Sequence, residues 1–296
     1  MASTAETLPR PEVREGFDFN KVLSSAAFYP GVALFIGVLL CFWPLLRLLP
    51  ELWLSKDGYY SHGFLVPLIS GYIIYKRWDK LKRIRVRTGW LALPFLITCL
   101  YVALVATSTP IDAIMSLAFV GTLLCGVWLV AGIRWALALA MPILYLAFAL
   151  PVWTMAIEIY TNPLQEYSTL TAVKIFQLTG FHHEYVNATT IMMNSGFPLN
   201  VGVPCSGLRL ILALTAFTVF FVLIANLNWW RNVIMILLIV PLALLINGLR
   251  IALIGMVGEA RGADAGMAFH DYSGYITLLV CFFILFKFAR LLGWKD

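Results

Sequence analysis

The sequence predicts an all-α integral membrane protein of about eight transmembrane helices, with a small extracytoplasmic helix and hairpin segment. Three observations predict it. The 296 residues are 61% hydrophobic and 12% charged, with a mean hydropathy of +0.87, whereas a soluble domain carries about a quarter charged residues. Apolar runs of roughly 20 residues, enough to cross a hydrocarbon core of about 30 Å, recur along the chain. Basic residues gather in loops that share one side of the resulting helix count.

The first segment, 1–29, carries Arg10, Arg14 and Lys21 with Glu6, Glu12, Glu15 and Asp18, and no apolar core ahead of a small-residue cleavage site. It reads as a cytoplasmic arm, with no cleaved signal peptide expected. Spans follow near 31–49, 60–75, 90–107, 112–131, 135–152, 207–226, 232–254 and 273–290. The second is short and interrupted by Gly63, Pro67 and Gly71. Residues 30–291 form one transmembrane domain without internal repeats, and 292–296 a cytoplasmic tail.

Orientation follows from lysine and arginine, which accumulate in short cytoplasmic loops. Lys76, Arg77, Lys80, Lys82, Arg83, Arg85 and Arg87 crowd the loop between the second and third spans. Counting outward from it puts Arg134, Arg231, Lys287, Arg290 and Lys295 inside as well, together with both termini. This asymmetry accounts for the net charge of +6 and makes the lipid bilayer, not nucleic acid, the charged partner. The location expected is the plasma or inner membrane, multipass.

The loop 50–61, the long segment 153–206 and the loop 255–272 then emerge on the extracytoplasmic side. In the long segment, Leu164, Tyr167, Leu170, Val173 and Phe176 recur at three-residue steps among polar residues, which predicts an amphipathic helix lying on the membrane surface. Thr189–Met193 and Leu199–Val203 flank Asn194-Ser195-Gly196 and predict a hairpin.

Chemistry is expected around Cys205. Cys41, Cys99, Cys125 and Cys281 lie inside apolar runs, where a thiol behaves as a small hydrophobe; Cys205 falls where water should reach. It precedes the sixth span, Arg250 lies about one turn inside the outer end of the seventh, and His270 sits just before the eighth, so the three reach one depth on one face. A charged side chain within a span is costly and usually faces a cavity or partner. A thiolate at Cys205 is favoured by the helix amino end and a nearby cation, Ser206 offers a cap for that helix, Arg250 suits an oxyanion or the substrate backbone, and His270 suits proton transfer. Acyl transfer needs no cofactor and no metal. His62 is the rival base. His182-His183-Glu184 lacks the helical spacing or second cysteine of a zinc site, and Asn187-Ala188-Thr189 fits a glycosylation triplet that arises often by chance. The plainer alternatives are an ordinary small residue at 205, an interfacial snorkelling arginine at 250 and a hydrogen-bonded loop histidine at 270.

Pro204-Cys205-Ser206-Gly207-Leu208-Arg209, Asn247-Gly248-Leu249-Arg250-Ile251 and His270-Asp271-Tyr272-Ser273-Gly274 resemble the Cys, Arg and His blocks of the exosortase/archaeosortase family. Tyr60-Ser61-His62-Gly63-Phe64-Leu65-Val66-Pro67 and Pro163-Leu164-Gln165 also resemble family segments, and the likeness covers roughly 60–290 in family order. The resemblance implies a multipass cysteine transpeptidase that cleaves carboxy-terminal sorting signals of the PEP-CTERM type, with Cys205, Arg250 and His270 as the catalytic positions and Ser206, Asn247, His62 and Tyr60 as binding or supporting ones. Its partners would be membrane-anchored proteins carrying sorting tails. Val203-Pro204 stands where many relatives have Glu-Ala or similar residues, and no fused soluble domain is expected after the last span. Two other classes fit the hydropathy: a transporter using Arg250 and His270 along a pathway, and a non-catalytic scaffold for export of an envelope polymer.

Overall fold

The computed structural model describes residues 28–55, 58–108, 112–225 and 227–294. All but the end of the arm expected over 1–29, and the last two residues of the tail, lie outside the described residues. Helices α1 (Phe28–Cys41) and α2 (Trp43–Leu54) form a pair bent by 68°. Pro44 near the start of α2 fits there because a first-turn residue has no intrahelical acceptor for its N–H in any case. Then follow α3 (Leu65–Lys76), a single turn α4 (Trp78–Leu81) in the basic loop, α5 (Ala92–Ala106), α6 (Asp112–Ala131) and α7 (Ile133–Tyr145). Leu150 is extended ahead of Pro151, as the proline ring requires of its predecessor. The chain therefore breaks by 68° before α8 (Thr154–Thr179). A sheet of β1 (His183–Asn187), β2 (Thr190–Met193) and β3 (Pro198–Asn200) precedes α9 (Leu208–Ile224), α10 (Trp229–Arg261) and α11 (Ala263–Leu291).

The protein is a nearly all-α, multipass membrane protein, but helix length does not give eight crossings. Among the described residues, three helices, α6, α10 and α11, are long and apolar enough to cross alone, or up to five spans if each bent pair counts as one. The segments α3, α5 and α9 are apolar but have 12, 15 and 17 residues. Hydropathy registers apolar length regardless of whether turns shorten the helix within it; the expected second span opens with the turns of 59–64, and its helix starts only at Leu65.

Two further expectations are corrected. The loop over 255–272 is a tight hairpin of two helices, turned at Gly262 with φ +92°. His270 thus lies inside α11, and Arg250 sits about three turns from the end of α10. Glu259, Arg261, Asp264 and Asp271 lowered the hydropathy there without ending the helices, because a helix can continue where charged residues are exposed. The periodic face of α8 is also inverted in part. Val173 and Phe176 are buried, but in a protein core and not at a membrane surface, Tyr167 and Leu170 are exposed, and Gln165, Ser168 and Thr169 face inward. Polar residues turn inward here because α8 packs against α10 and their hydrogen bonds are satisfied there.

The expected hairpin is β2 with β3, paired as Thr190 with Asn200 and Ile191 with Leu199. Strand β1 adds a third member on the other edge of β2. The sheet's inner face, with Ile191, Met193 and Leu199, packs with Phe176 of α8 and Ile251 and Ile254 of α10 in one core cluster that also contains Cys205. A second cluster unites α1, α2, α5, α6 and α7. A third unites α9, α10 and α11 around Leu214, Met235 and Leu285.

Candidate active site

The chain leaves β3 at Asn200 and turns through Val203–Cys205 before α9. Gly207, at the junction, has φ +81°, a left-handed conformation that strains any residue with a Cβ. A Cβ there would also lie 3.2 Å from Asn247 Nδ2. This close approach lets Asn247, from α10, donate to the backbone carbonyl of Cys205 at 2.6 Å and to Ser168 Oγ at 3.0 Å. Ser168 Oγ in turn donates to the Ser206 carbonyl at 3.2 Å, and Gln165 Nε2 donates to the Val201 carbonyl. Both α8 and α10 therefore grip the backbone on either side of Cys205 through buried bonds. Ser206 is wholly buried, and its hydroxyl accepts the Leu208 N–H at 3.3 Å, while the N-cap position itself is Gly207.

Cys205 Sγ lies 2.9 Å from His270 Nε2 on α11. His270 Nδ1 is 3.5 Å from Asp271 Oδ1, a long contact. The tautomer that serves both contacts holds its proton on Nδ1 and presents Nε2 as an acceptor to the thiol. Arg250 donates from Nε to Ser273 Oγ at 3.0 Å and from Nη2 to the His270 carbonyl at 3.1 Å, while Ser273 Oγ donates to the same carbonyl at 3.2 Å. The guanidinium is thereby fixed against the turn that carries His270.

Beside these groups lies a cavity of about 240 Å³ whose lining includes Ser61, His62, Arg209, Arg250, His270 and Asp271, with Cys205 behind His270. Apart from Asn247 and Thr277, its other walls are largely apolar, with Phe64 and Leu65 at the start of α3, Leu210 on α9, and Leu278 and Phe282 on α11. Arg209 Nε donates to Ser61 Oγ at 3.1 Å, tying α9 to the turn before α3.

The structure thus brings Cys205, His270, Arg250, Asn247 and Ser206 together although Cys205 and His270 are 65 residues apart in sequence. His62 lines the same cavity but is 8% exposed. It lies in the turn ahead of α3, where burial, aided by the Arg209 charge and opposed by a backbone bond with Phe148, holds its pKa down to about 4. Tyr60 is buried at 5% exposure outside that lining. One expectation fails: Cys205 is 4% exposed, whereas Cys41 is exposed on α1 beside the exposed Ile36 and Leu40. The folded turn covers the cysteine with Ile251 and Val201, so its access is through its contact with His270, at the wall of the cavity. His183 is engaged structurally, its Nδ1 2.8 Å from the Phe181 carbonyl. Arg209, Gln165 and Ser273 stood in the quoted sequence blocks without an assigned role. Ser168 carried no signal, since a serine at helical spacing reads as a solvent face.

No curated protein and no solved structure matches the chain significantly. The family model for transmembrane exosortases matches residues 53–287, which contain every group of the cavity. The chain belongs to the transmembrane exosortase family.

Proposed function

We propose that the protein is a membrane-embedded cysteine transpeptidase that cleaves carboxy-terminal sorting signals of exported proteins at the extracytoplasmic face through a thioester on Cys205. The observation that carries this reading is the 2.9 Å contact between Cys205 Sγ and His270 Nε2, where His270 and Arg250 both line the adjoining cavity. Nε2 takes the thiol proton as sulfur attacks the scissile carbonyl. The oxyanion forms beside Arg250, whose bonds to Ser273 and His270 leave further N–H donors on the guanidinium. His270 then returns the proton to the leaving amine, and an amine or water resolves the thioester with His270 as base. Asp271 holds the Nδ1 proton and so orients the ring.

The apolar half of the cavity supports a substrate that arrives from the bilayer. Phe64 (53% exposed), Leu65 (42%) and Tyr275 (60%) stand at its rim on α3 and α11. A sorting tail with one membrane helix and a basic cytoplasmic end would bring its scissile bond to this depth. A transporter would use ionisable groups along several helices, whereas here Arg209, Arg250, His270 and Asp271 gather around one cavity. Cys205→Ala, at unchanged protein level, is expected to accumulate uncleaved substrates with a short motif, an apolar helix and a basic tail. Normal processing by that variant would return the protein to the scaffold class.

A further inference from the structure

Cys205 and His270 reach each other from different parts of the fold, one from the junction after β3 and the other from α11. A 2.9 Å contact between them requires the β2–β3 hairpin and the α10–α11 hairpin to keep one relative position. Asn247, which bonds the Cys205 carbonyl, lies twelve residues before Glu259 on α10, roughly 18 Å at 1.5 Å per residue, so it does not hold the end of α10 that turns into α11. Glu259 joins that end to the β2–β3 turn. One of its carboxylate oxygens accepts the Ser195 N–H at 3.0 Å, and the other accepts the same N–H at 3.1 Å and the Ser195 hydroxyl at 2.5 Å. Bonds to an ionised acceptor are roughly twice as strong as neutral ones. The surfaces beside this contact are close: a Cβ at Gly258 would lie 2.5 Å from Phe197 of the turn, and one at Gly266 on α11 would lie 3.1 Å from Gly258. His270 follows Gly266 by about one helical turn.

We propose that Glu259 is a positioning residue, whose carboxylate latches the β2–β3 turn to the end of the α10–α11 hairpin and so sets Cys205 Sγ against His270 Nε2. Its effect on turnover rests on the peptide-cleaving reading; its effect on the thiol rests on the geometry alone. Strand β3 runs from the Ser195 turn toward Val201, whose carbonyl accepts from Gln165 of α8. Released at Ser195, the hairpin would pivot about that bond, and the turn beyond it carries Cys205. A proton acceptor must lie within hydrogen-bond reach of the group it serves, and a misplacement of about 1 Å costs on the order of a hundredfold.

The test uses the full-length protein in lipid nanodiscs, with iodoacetamide as the probe and Cys205 alkylation followed by peptide mass spectrometry across the titration range of a thiol. A thiol paired with a histidine titrates below the ordinary value of about 8.5. Glu259→Ala is expected to raise the midpoint of the alkylation profile by on the order of one pH unit, and to lower kcat on cleaved tail peptides about tenfold or more with KM little changed. Glu259→Gln keeps an acceptor oxygen without the charge and is expected to fall between Glu259→Ala and the wild type. Ser195→Ala keeps the N–H bonds and is expected to show the smallest shift. These two milder variants carry the test if Glu259→Ala does not insert. A wild-type alkylation midpoint in the Glu259 variants, whatever their melting temperature, would overturn the proposal, since the bonds would then serve stability alone. So would a raised KM at unchanged kcat. Absence of cleavage by the wild type, or its persistence in Cys205→Ala, would overturn the peptidase reading, whereas the alkylation profile tests the latch without any substrate.

Discussion

At the residue scale, the division of labour between two histidines is set by their surroundings. His270 has Sγ on one nitrogen and a carboxylate near the other. His62 is enclosed. If His270 moves the proton, His270→Ala should lower turnover on the order of a hundredfold or more, while His62→Ala has a milder effect on the chemical step. Arg250→Lys should fold yet lose on the order of a hundredfold, because a point charge on a flexible stem cannot keep both anchoring bonds and still offer a fixed donor. Single-turnover cleavage assays separate the three. His62 has a second consequence. Its pKa is held near 4 against an ordinary 6.5, so between those values the unfolded chain binds a proton that the folded chain refuses. Stability is then fully present above pH 6.5 and declines as pH falls toward 4, by about 3 kcal/mol from this group at most. Thermal unfolding in detergent should show that decline, and His62→Gln should flatten it; an identical pH slope in the variant would sink the account.

At the scale of elements, the site depends on a junction that hydropathy does not register. Gly207 combines a positive φ with contact against Asn247, so Gly207→Ala should strain the turn by about 1–3 kcal/mol and push Asn247 off the Cys205 carbonyl. The expected outcome is slower alkylation of Cys205 and lower turnover in protein that still inserts, measured with a small maleimide against an unaltered control cysteine. The Cys, Arg and His blocks were legible because each sits where an apolar run meets an ionisable residue, a contrast that a single sequence carries. The inward face of α8 was not, because Gln165, Ser168 and Thr169 on a helix look alike whether they meet water or a buried partner. The α10–α11 hairpin was hidden for the opposite reason: Glu259, Arg261 and Asp264 read as a loop, while the helical backbone needs only the left-handed turn at Gly262. Strand β1 was missed because His183, Glu184 and Asn187 leave no clean alternation across its exposed length.

At the scale of the whole molecule, the cavity and the basic residues occupy opposite ends of the same helices. Arg231 and Arg250 are nineteen residues apart on α10, roughly 28 Å at 1.5 Å per residue, close to a hydrocarbon thickness. His270 and Lys287 are seventeen apart on α11, roughly 25 Å, and Arg231 packs beside Gly293 at that same basic end. On α3, His62 precedes the helix and Lys76 closes it. Three helices thus agree that a membrane holding Arg231, Lys287 and the 76–87 loop in the cytoplasm would hold Cys205 and His270 outside. The turn Asn194-Ser195-Gly196 belongs to the same end of the molecule as Cys205, since Glu259 near the close of α10 accepts from the Ser195 N–H at 3.0 Å. In a variant lacking the exposed Cys41, a cysteine placed at Lys82 should react only with reagents that reach the cytoplasm, and one placed at Asn194 only with impermeant reagents added outside. Labelling of both from the same side would remove the shared orientation of α3, α10 and α11, and with it the delivery of an exported tail to Cys205.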